Sequence, residues 1–341
     1  MTMAKSKRFL DYAVLALLVL MIAYNALAFG GVRLIDQAAS MWLMAPALAL
    51  FGVRILTSGE APRTGGIVGC MVVLFFAYAW IRHQFAETEY SSRHGLIDVG
   101  LGTATFFLAL NVIPGPRHVR WAVFAMLAVA VGLSILGAYQ FATGSDHVWS
   151  ATRPSAYHGR GSGTFINPNH LAGFLELILP LGLFATMNAR RSWALRIICA
   201  YCVLVIIAGI ALTFSRGGWL ATGAALFVFL GWLLWSRRRM LGWALLVMLV
   251  VGVIALALFS SQMSEVRVAQ TEKELAAGWR STRLLIWQAA YDAWQTNPWW
   301  GIGAEQFKYR YHAFRDPWLQ TNPVRVHNDY LDLLCEYGVA G

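Results

Sequence analysis

The sequence predicts an all-α integral membrane protein with about ten transmembrane helices. Of its 341 residues, 58% are hydrophobic and 13% are charged. Its mean hydropathy is +0.55, so it carries far more apolar surface than one soluble core of this length needs. Apolar runs of about 17–25 residues, long enough to cross ~30 Å of hydrocarbon as a helix, recur along the whole chain. Cations gather in alternate short loops between these runs, the pattern of a chain threaded back and forth through a bilayer.

Taken in order, the spans fall near 9–29, 37–56, 65–82, 97–113, 119–142, 170–188, 195–214, 217–235 and 240–260. The first follows Lys5, Lys7 and Arg8. A cleaved signal peptide is the competing reading, since Ala26-Leu27-Ala28 resembles a peptidase site, but the run is long for one and further spans follow. Lys5, Lys7, Arg8, Arg54, Arg63, Arg117, Arg120, Arg190, Arg191, Arg196, Arg237, Arg238 and Arg239 fall on one side, which the positive-inside rule makes the cytoplasm. The other side holds fewer cations, chiefly Arg33, Arg93, Arg153, Arg160 and Arg216. At the C-terminus, Leu331 to Gly341 reads as a tenth span just entering the bilayer, apparently truncated.

Two outer segments are long. Residues 143–169 are rich in Gly, Ser, Thr and His. Residues 261–326 carry too many aromatics for a disordered loop, among them Trp279, Trp287, Trp294, Trp299, Trp300, Tyr309 and Trp318. They predict a helical cap at headgroup level. The expected division is a set of N-terminal spans, 1–142, and a second domain, 143–341, that includes the loop 261–326.

The positive balance, 27 Lys+Arg against 17 Asp+Glu, admits nucleic acid, anionic lipid or an anionic substrate. Topology accounts for the cytoplasmic cations and no extended patch forms, so nucleic acid is set aside. Of the four cysteines, Cys199 and Cys202 form a C-x-x-C pair inside an apolar run, without the polar support that a redox or zinc site needs.

Four polar clusters interrupt the pattern, all on the outer side: His158 to His170, Ser215-Arg216-Gly217-Gly218-Trp219, Arg280-Ser281-Thr282-Arg283, and Arg325-Val326-His327-Asn328-Asp329-Tyr330. Three mark helix N-termini, whose unpaired N–H groups and positive dipole ends favour anions. The guanidinium forks of Arg160, Arg216, Arg280 and Arg283 suit phosphate oxygens. Gly217 and Gly218 allow close backbone approach, with Asn167, Asn169, His170 and Ser215 as supporting groups. At a membrane edge a lone arginine is commonly a headgroup contact, yet Arg216 lies between two spans with almost no loop, where an unpaired cation is costly. His327 is either a polar helix-start residue or a general base kept neutral by nearby cations. Asp329, Asp332 and Glu336 lie near it, but neither H-E-x-x-H nor D-x-D is present, so no metal or other cofactor is expected. Glu176, in the middle of the sixth span, stands alone, whereas a proton-coupled transporter needs several such groups.

From about residue 150 onward the chain resembles the O-antigen ligase and O-antigen polymerase superfamily. The resemblance rests on G-T-F-x-N-P-N-H-L-A-G at 163–173, S-R-G-G-W-L-A at 215–221, R-x-x-x-W-x-x-A at 283–290, N-P-W-W-G-I-G at 297–303 and H-N-D-Y-L-D-L-L-C-E-Y-G-V-A-G at 327–341. It implies a metal-independent, GT-C-like glycosyltransferase of the bacterial inner membrane. Such an enzyme takes a glycan from undecaprenyl pyrophosphate at the periplasmic face and hands it to a lipid A core or similar acceptor, as in lipopolysaccharide biosynthesis. By the same resemblance His327 activates the acceptor hydroxyl, and Arg216 and Arg283, then Arg160 and Arg280, hold the pyrophosphate. Expected partners are the lipid-linked donor, a glycan, lipid or protein acceptor, and membrane lipids. Polysaccharide polymerisation, transfer to protein, and a transporter or flippase stay open as alternatives.

Overall fold

The structure is a computed structural model that describes residues 3–113, 115–188, 192–235, 282–317, 319 and 322–341. Among these, eight helices are long and apolar enough to cross a membrane: α1 (Met3–Leu27), α2 (Leu34–Ser58), α3 (Gly66–Gln84), α4 (Glu89–Val112), α5 (Pro116–Thr143), α6 (Pro168–Asn188), α7 (Trp193–Leu212) and α8 (Arg216–Trp235). The chain is therefore an all-α, multi-pass membrane protein, and each helix covers an apolar run read from the sequence. The run at 240–260 lies outside the described residues. The largest displacement is at α4, which starts at Glu89 rather than 97. Its first two turns are polar, but Glu89 lies at the positive end of the helix dipole and pairs with Arg93 at 3.2 Å, one turn on.

Three shorter helices follow: α9 (Thr282–Gln295), α10 (Phe307–Phe314) and α11 (Asp329–Tyr337). α9 falls within the segment 261–326 and buries Ile286, Ala289, Ala290 and Ala293 at helical spacing. Where the sequence predicts a tenth span, α11 comprises nine residues, about 14 Å of helix.

The chain divides into two compact units. In the first, residues 1–61 and 111–260, Leu133 of α5, Leu171, Leu175 and Leu179 of α6 and Ile206 and Ile210 of α7 form a fully buried core. Small residues set the helix spacing. A Cβ on Gly209 would fall 2.4 Å from Ser134 Oγ, and one on Gly182 would fall 2.9 Å from Val203, the close approach that packs helices inside a membrane. Asp11 of α1 accepts from Arg54 Nε of α2 at 2.9 Å, with both side chains buried.

Residues 143–169, read from sequence as a loop, are an ordered substructure. A hairpin pairs β1 (His147–Val148) with β2 (Ala151–Thr152), and a short 3-10 turn covers Ser155–Tyr157. Arg153 organises it. The sequence places this residue among the outer loop cations, but its side chain is fully buried, donating to the Ser145 carbonyl at 2.7 Å, Asp146 at 3.2 Å, the Arg160 carbonyl and Ser162 Oγ. Burial lowers its pKa from the ordinary arginine value, opposed by the Asp146 carboxylate. Gln140 of α5 continues the staple, donating to the Gly163 carbonyl at 2.8 Å and accepting from the Ser162 N–H at 3.0 Å.

The second unit, 62–110 with 261–341, packs Phe307, Tyr311, Val326 and Cys335 around the buried face of α9. Its distal end is tied backbone to backbone: Ile302 N–H donates to Cys335 O at 2.8 Å, Gly303 N–H to Glu336 O at 2.9 Å and Val339 N–H to Pro298 O at 3.0 Å. Gly301 and Gly338, at φ 69° and 70°, make that contact possible. A Cβ on either would lie 2.4–2.5 Å from the opposing backbone.

Removing one partner of a buried ion pair leaves an uncompensated charge and costs about 3–5 kcal/mol, whereas replacing both with apolar groups is close to neutral. Arg54→Met is accordingly expected to lower the thermal unfolding midpoint of the detergent-solubilised chain markedly, and Asp11→Leu with Arg54→Met to recover most of it. Equal losses in the single and double variants would contradict the pairing.

Candidate functional site

Every polar cluster singled out in the sequence lies at a helix N-terminus: α6 starts at Pro168, α8 at Arg216, α9 at Thr282 and α11 at Asp329. The caps follow from the residue types. Asn167 Oδ1 accepts from Asn169 N–H at 2.9 Å, with Pro168 as the first helical residue. Ser215 Oγ accepts from Gly218 N–H at 3.2 Å, and Asn328 Oδ1 from Leu331 N–H at 3.3 Å.

Within the first unit the structure joins two of the clusters. Arg160 Nε donates to the Thr213 carbonyl at 2.8 Å, and its Nη2 to Asn169 Oδ1 at 3.1 Å. The guanidinium therefore ties the start of α6 to the turn that opens α8. Gly161 N–H adds a bond to Leu212 O at 2.8 Å. Arg216, the first residue of α8, is exposed. The two glycines after it do different jobs. Gly217 faces open space, whereas a Cβ on Gly218 would lie 2.9 Å from Ala172 Cβ and 2.8 Å from Glu176 Oε1 of α6. Phe214, just before the cap, is held at φ 50°, its buried ring tilted against Phe141 and Trp219. His170 is exposed in the first turn of α6, and half-exposed His158 lies 3.3 Å from Asp146.

Glu176 of α6 meets the start of α8. α6 begins at Pro168 and α8 at Arg216, and the Glu176 carboxylate lies against Gly218 in the first turn of α8. Its place as the ninth residue of a 21-residue helix keeps it within the span, with its carboxylate reaching the first turn of α8.

The second unit holds the other two clusters. Arg283 is exposed in the first turn of α9, and His327 is exposed immediately before the Asn328 cap of α11. Both helices contribute to one core, α9 with Ile286 and α11 with Cys335. Arg280 lies outside the described residues. His327 adopts φ 59°, a left-handed conformation, as does Glu305 at φ 57°. A side chain held there costs about 1–2 kcal/mol per residue, and such strain gathers at functional sites.

The carboxylates that the sequence sets near His327 face an arginine. Arg325, half-exposed, pairs with Glu305, with Asp332 at 3.3 Å and with Glu336 at 3.9 Å. Partial burial works to lower its pKa, but the fields of Glu305, Glu336 and Asp332 prevail and hold it above the ordinary arginine value. Among the described residues no group of three or more His, Cys, Asp or Glu is arranged to hold a metal ion.

The family model described as O-Antigen ligase matches residues 200–341. That segment, rather less than half of the chain, is similar to the O-antigen ligase family. It contains Arg216, Arg283 and His327, while Arg160, Asn167, Asn169 and His170 precede it. No curated protein and no solved structure matches the chain. The match supports glycosyl transfer of the O-antigen ligase type, with glycan and lipid substrates in general.

Sequence reasoning missed the roles of Arg153 and Arg325. Both signals were visible, as an arginine followed by a tract of small residues and an arginine followed by acidic residues at helical spacing, but either pattern also fits a surface cation.

The contrast between the two glycines gives a direct check. Alanine is favoured over glycine in a helix interior by about 1 kcal/mol, so Gly217→Ala should leave the unfolding midpoint unchanged or raise it. Gly218→Ala should lower it, because overpacking typically costs about 1–3 kcal/mol. Equal responses would show that the α6–α8 contact is not as close as described.

Proposed function

We propose that the chain is a glycosyltransferase that moves a glycan from undecaprenyl pyrophosphate to an acceptor hydroxyl, on the lipid A core or a similar acceptor, at the periplasmic face of the bacterial inner membrane. What supports this reading is the match of residues 200–341 to the ligase model, a segment that holds both an exposed arginine at a helix N-terminus, Arg216, and an exposed histidine in a left-handed backbone conformation, His327. The working part is proposed to be residues 143–341, with 1–142 as supporting spans.

In the proposed reaction the acceptor oxygen attacks the anomeric carbon while a nitrogen of His327 takes its proton. The bond from that carbon to the pyrophosphate oxygen breaks, and the electron pair leaves with undecaprenyl pyrophosphate. This leaving group departs as an anion and needs no acid partner. What it needs is preorganised positive charge, which Arg216, Arg283 and Arg280 supply together with the N–H groups of the α8 first turn beside open Gly217. Arg160, held by Thr213 and Asn169, adds its charge while keeping the α6 and α8 starts in register; Asn167, His170 and Ser215 shape the same rim. No step calls for a metal ion, so metal-independent transfer is part of the proposal. The prenyl tail lies among the helices, and exposed Trp299, Trp300 and Tyr309 offer faces on which sugar rings stack.

His327→Gly tests this reading with little structural penalty, since glycine accepts the left-handed backbone without strain. Its unfolding midpoint should stay the same or rise while glycan transfer falls roughly a hundred- to ten-thousand-fold. Arg216→Ala should insert normally and lose about a hundredfold or more. Transfer assayed in a deletion host, with acceptors of lipid, glycan and protein type, gives the readout. A His327→Gly chain that transfers at the parental rate would overturn the general-base assignment.

A further inference from the structure

The turn that carries His327 is pinned on both sides. On its N-terminal side Val326 is completely buried, and its N–H donates to Asp332 Oδ1 at 3.2 Å. On the other side Asn328 caps α11 through Leu331 N–H, and its carbonyl accepts from Asp332 N–H at 2.8 Å. Between these anchors His327 has the left-handed φ of 59°. A non-glycine residue seldom adopts that conformation by its own preference, and the flanking contacts hold the backbone on either side of it.

Arg325 meets the same Asp332 carboxylate. Its fork reaches Glu305 on one nitrogen, and Asp332 at 3.3 Å and Glu336 at 3.9 Å on the other. Asp332 thus faces the guanidinium with one oxygen and the Val326 N–H with the other. Glu305 is itself constrained, at φ 57°, and packs over Gly95 of α4, where a Cβ would lie 3.1 Å from its Cγ. The clamp therefore links α4, the Glu305 turn and α11 to the two residues before and after His327. Three carboxylates around one guanidinium leave the group with excess negative charge, which repels a pyrophosphate rather than binding it. This sets Arg325 apart from Arg216 and Arg283.

We infer that Arg325 is a positioning residue for His327: through Glu305, Asp332 and Glu336 it fixes the turn from which the imidazole meets the acceptor hydroxyl. The inference rests on the reading of His327 as the base. It assigns Arg325 an effect on turnover and none on donor affinity, because its nitrogens engage protein carboxylates. It also requires that its effect vanish once the imidazole is gone.

The test is a double-mutant cycle on the full chain in membranes, with a polyprenyl-pyrophosphate-linked glycan as donor, reading kcat and donor KM and normalising to inserted protein. Arg325→Met is expected to lower kcat by about 10- to 100-fold in the parental background with donor KM within about twofold. In the His327→Gly background the same change should lower the residual rate by less than about twofold. Arg325→Lys, which keeps one charge but not the fork, should recover part of kcat. An equal fall in both backgrounds, a rise in donor KM that accounts for the loss, or no fall at all would overturn the inference. If His327→Gly alone transfers at the parental rate, the general-base reading fails and takes this inference with it. If His327→Gly is impaired and Arg325→Met is not, only the inference fails.

Discussion

A helix crossing hydrocarbon must close its backbone hydrogen bonds within itself, because no water is there to take them. That constraint decides where this chain can keep its polar chemistry. Glycine-rich, arginine-rich and histidine-containing segments are excluded from span interiors and confined to the helix ends. At an N-terminus, the N–H groups that lack intrahelical partners become an asset, since they and the dipole favour an anion. The clusters at Pro168, Arg216, Thr282 and Asp329 all occupy such starts. Each has a side-chain cap where the residue before the helix is described, so one orphan donor is satisfied there.

Close backbone approach is the second requirement, and it explains why glycines accompany the arginines. Gly218 lets α8 lie against Ala172 and Glu176 of α6, and Gly161 sets the 143–169 substructure against Gly137 O of α5, 2.8 Å from where a Cβ would be. Gly301 and Gly338 let the segment after α9 interlock with the end of α11. In the sequence these glycines fall in separate blocks, N-P-W-W-G-I-G and C-E-Y-G-V-A-G, joined in the fold by main-chain hydrogen bonds. A substitution at these positions acts on backbone spacing, and only through it on any side chain that does chemistry.

The spanning helices were legible because hydropathy is a local property: each of the eight described spans covers a run of apolar residues that needs no partner to be recognised. The start of α4 was misplaced for the same reason, since its polar first turns, Glu89 to His94, are helical through dipole and i,i+4 charge effects that a hydropathy scan ignores. Site residues were legible as types and positions, and their grouping was not. Arg160 meets Thr213 and Asn169 only because 143–169 folds back on itself around Arg153, a buried cation whose identity looks like that of any loop arginine. The contact of Glu176 with Gly218 was not legible, because it depends on which helix packs against α6. The left-handed backbone at His327 has no sequence signature in a non-glycine residue; it sits between the Val326–Asp332 bond and the Asn328 cap, contacts that only the fold reveals.

The central claim is that the arginines hold a pyrophosphate leaving group while a glycan passes to a hydroxyl. It is tested most directly by following both products at once. Purified chain in lipid nanodiscs would be mixed with a glycan on undecaprenyl pyrophosphate and an acceptor, with divalent cations chelated, and the lipid and acceptor fractions analysed by mass. The account expects acceptor to gain the glycan and free undecaprenyl pyrophosphate to appear in equal amount. Intact donor with unmodified acceptor, or donor consumed without a glycosylated product, would contradict it.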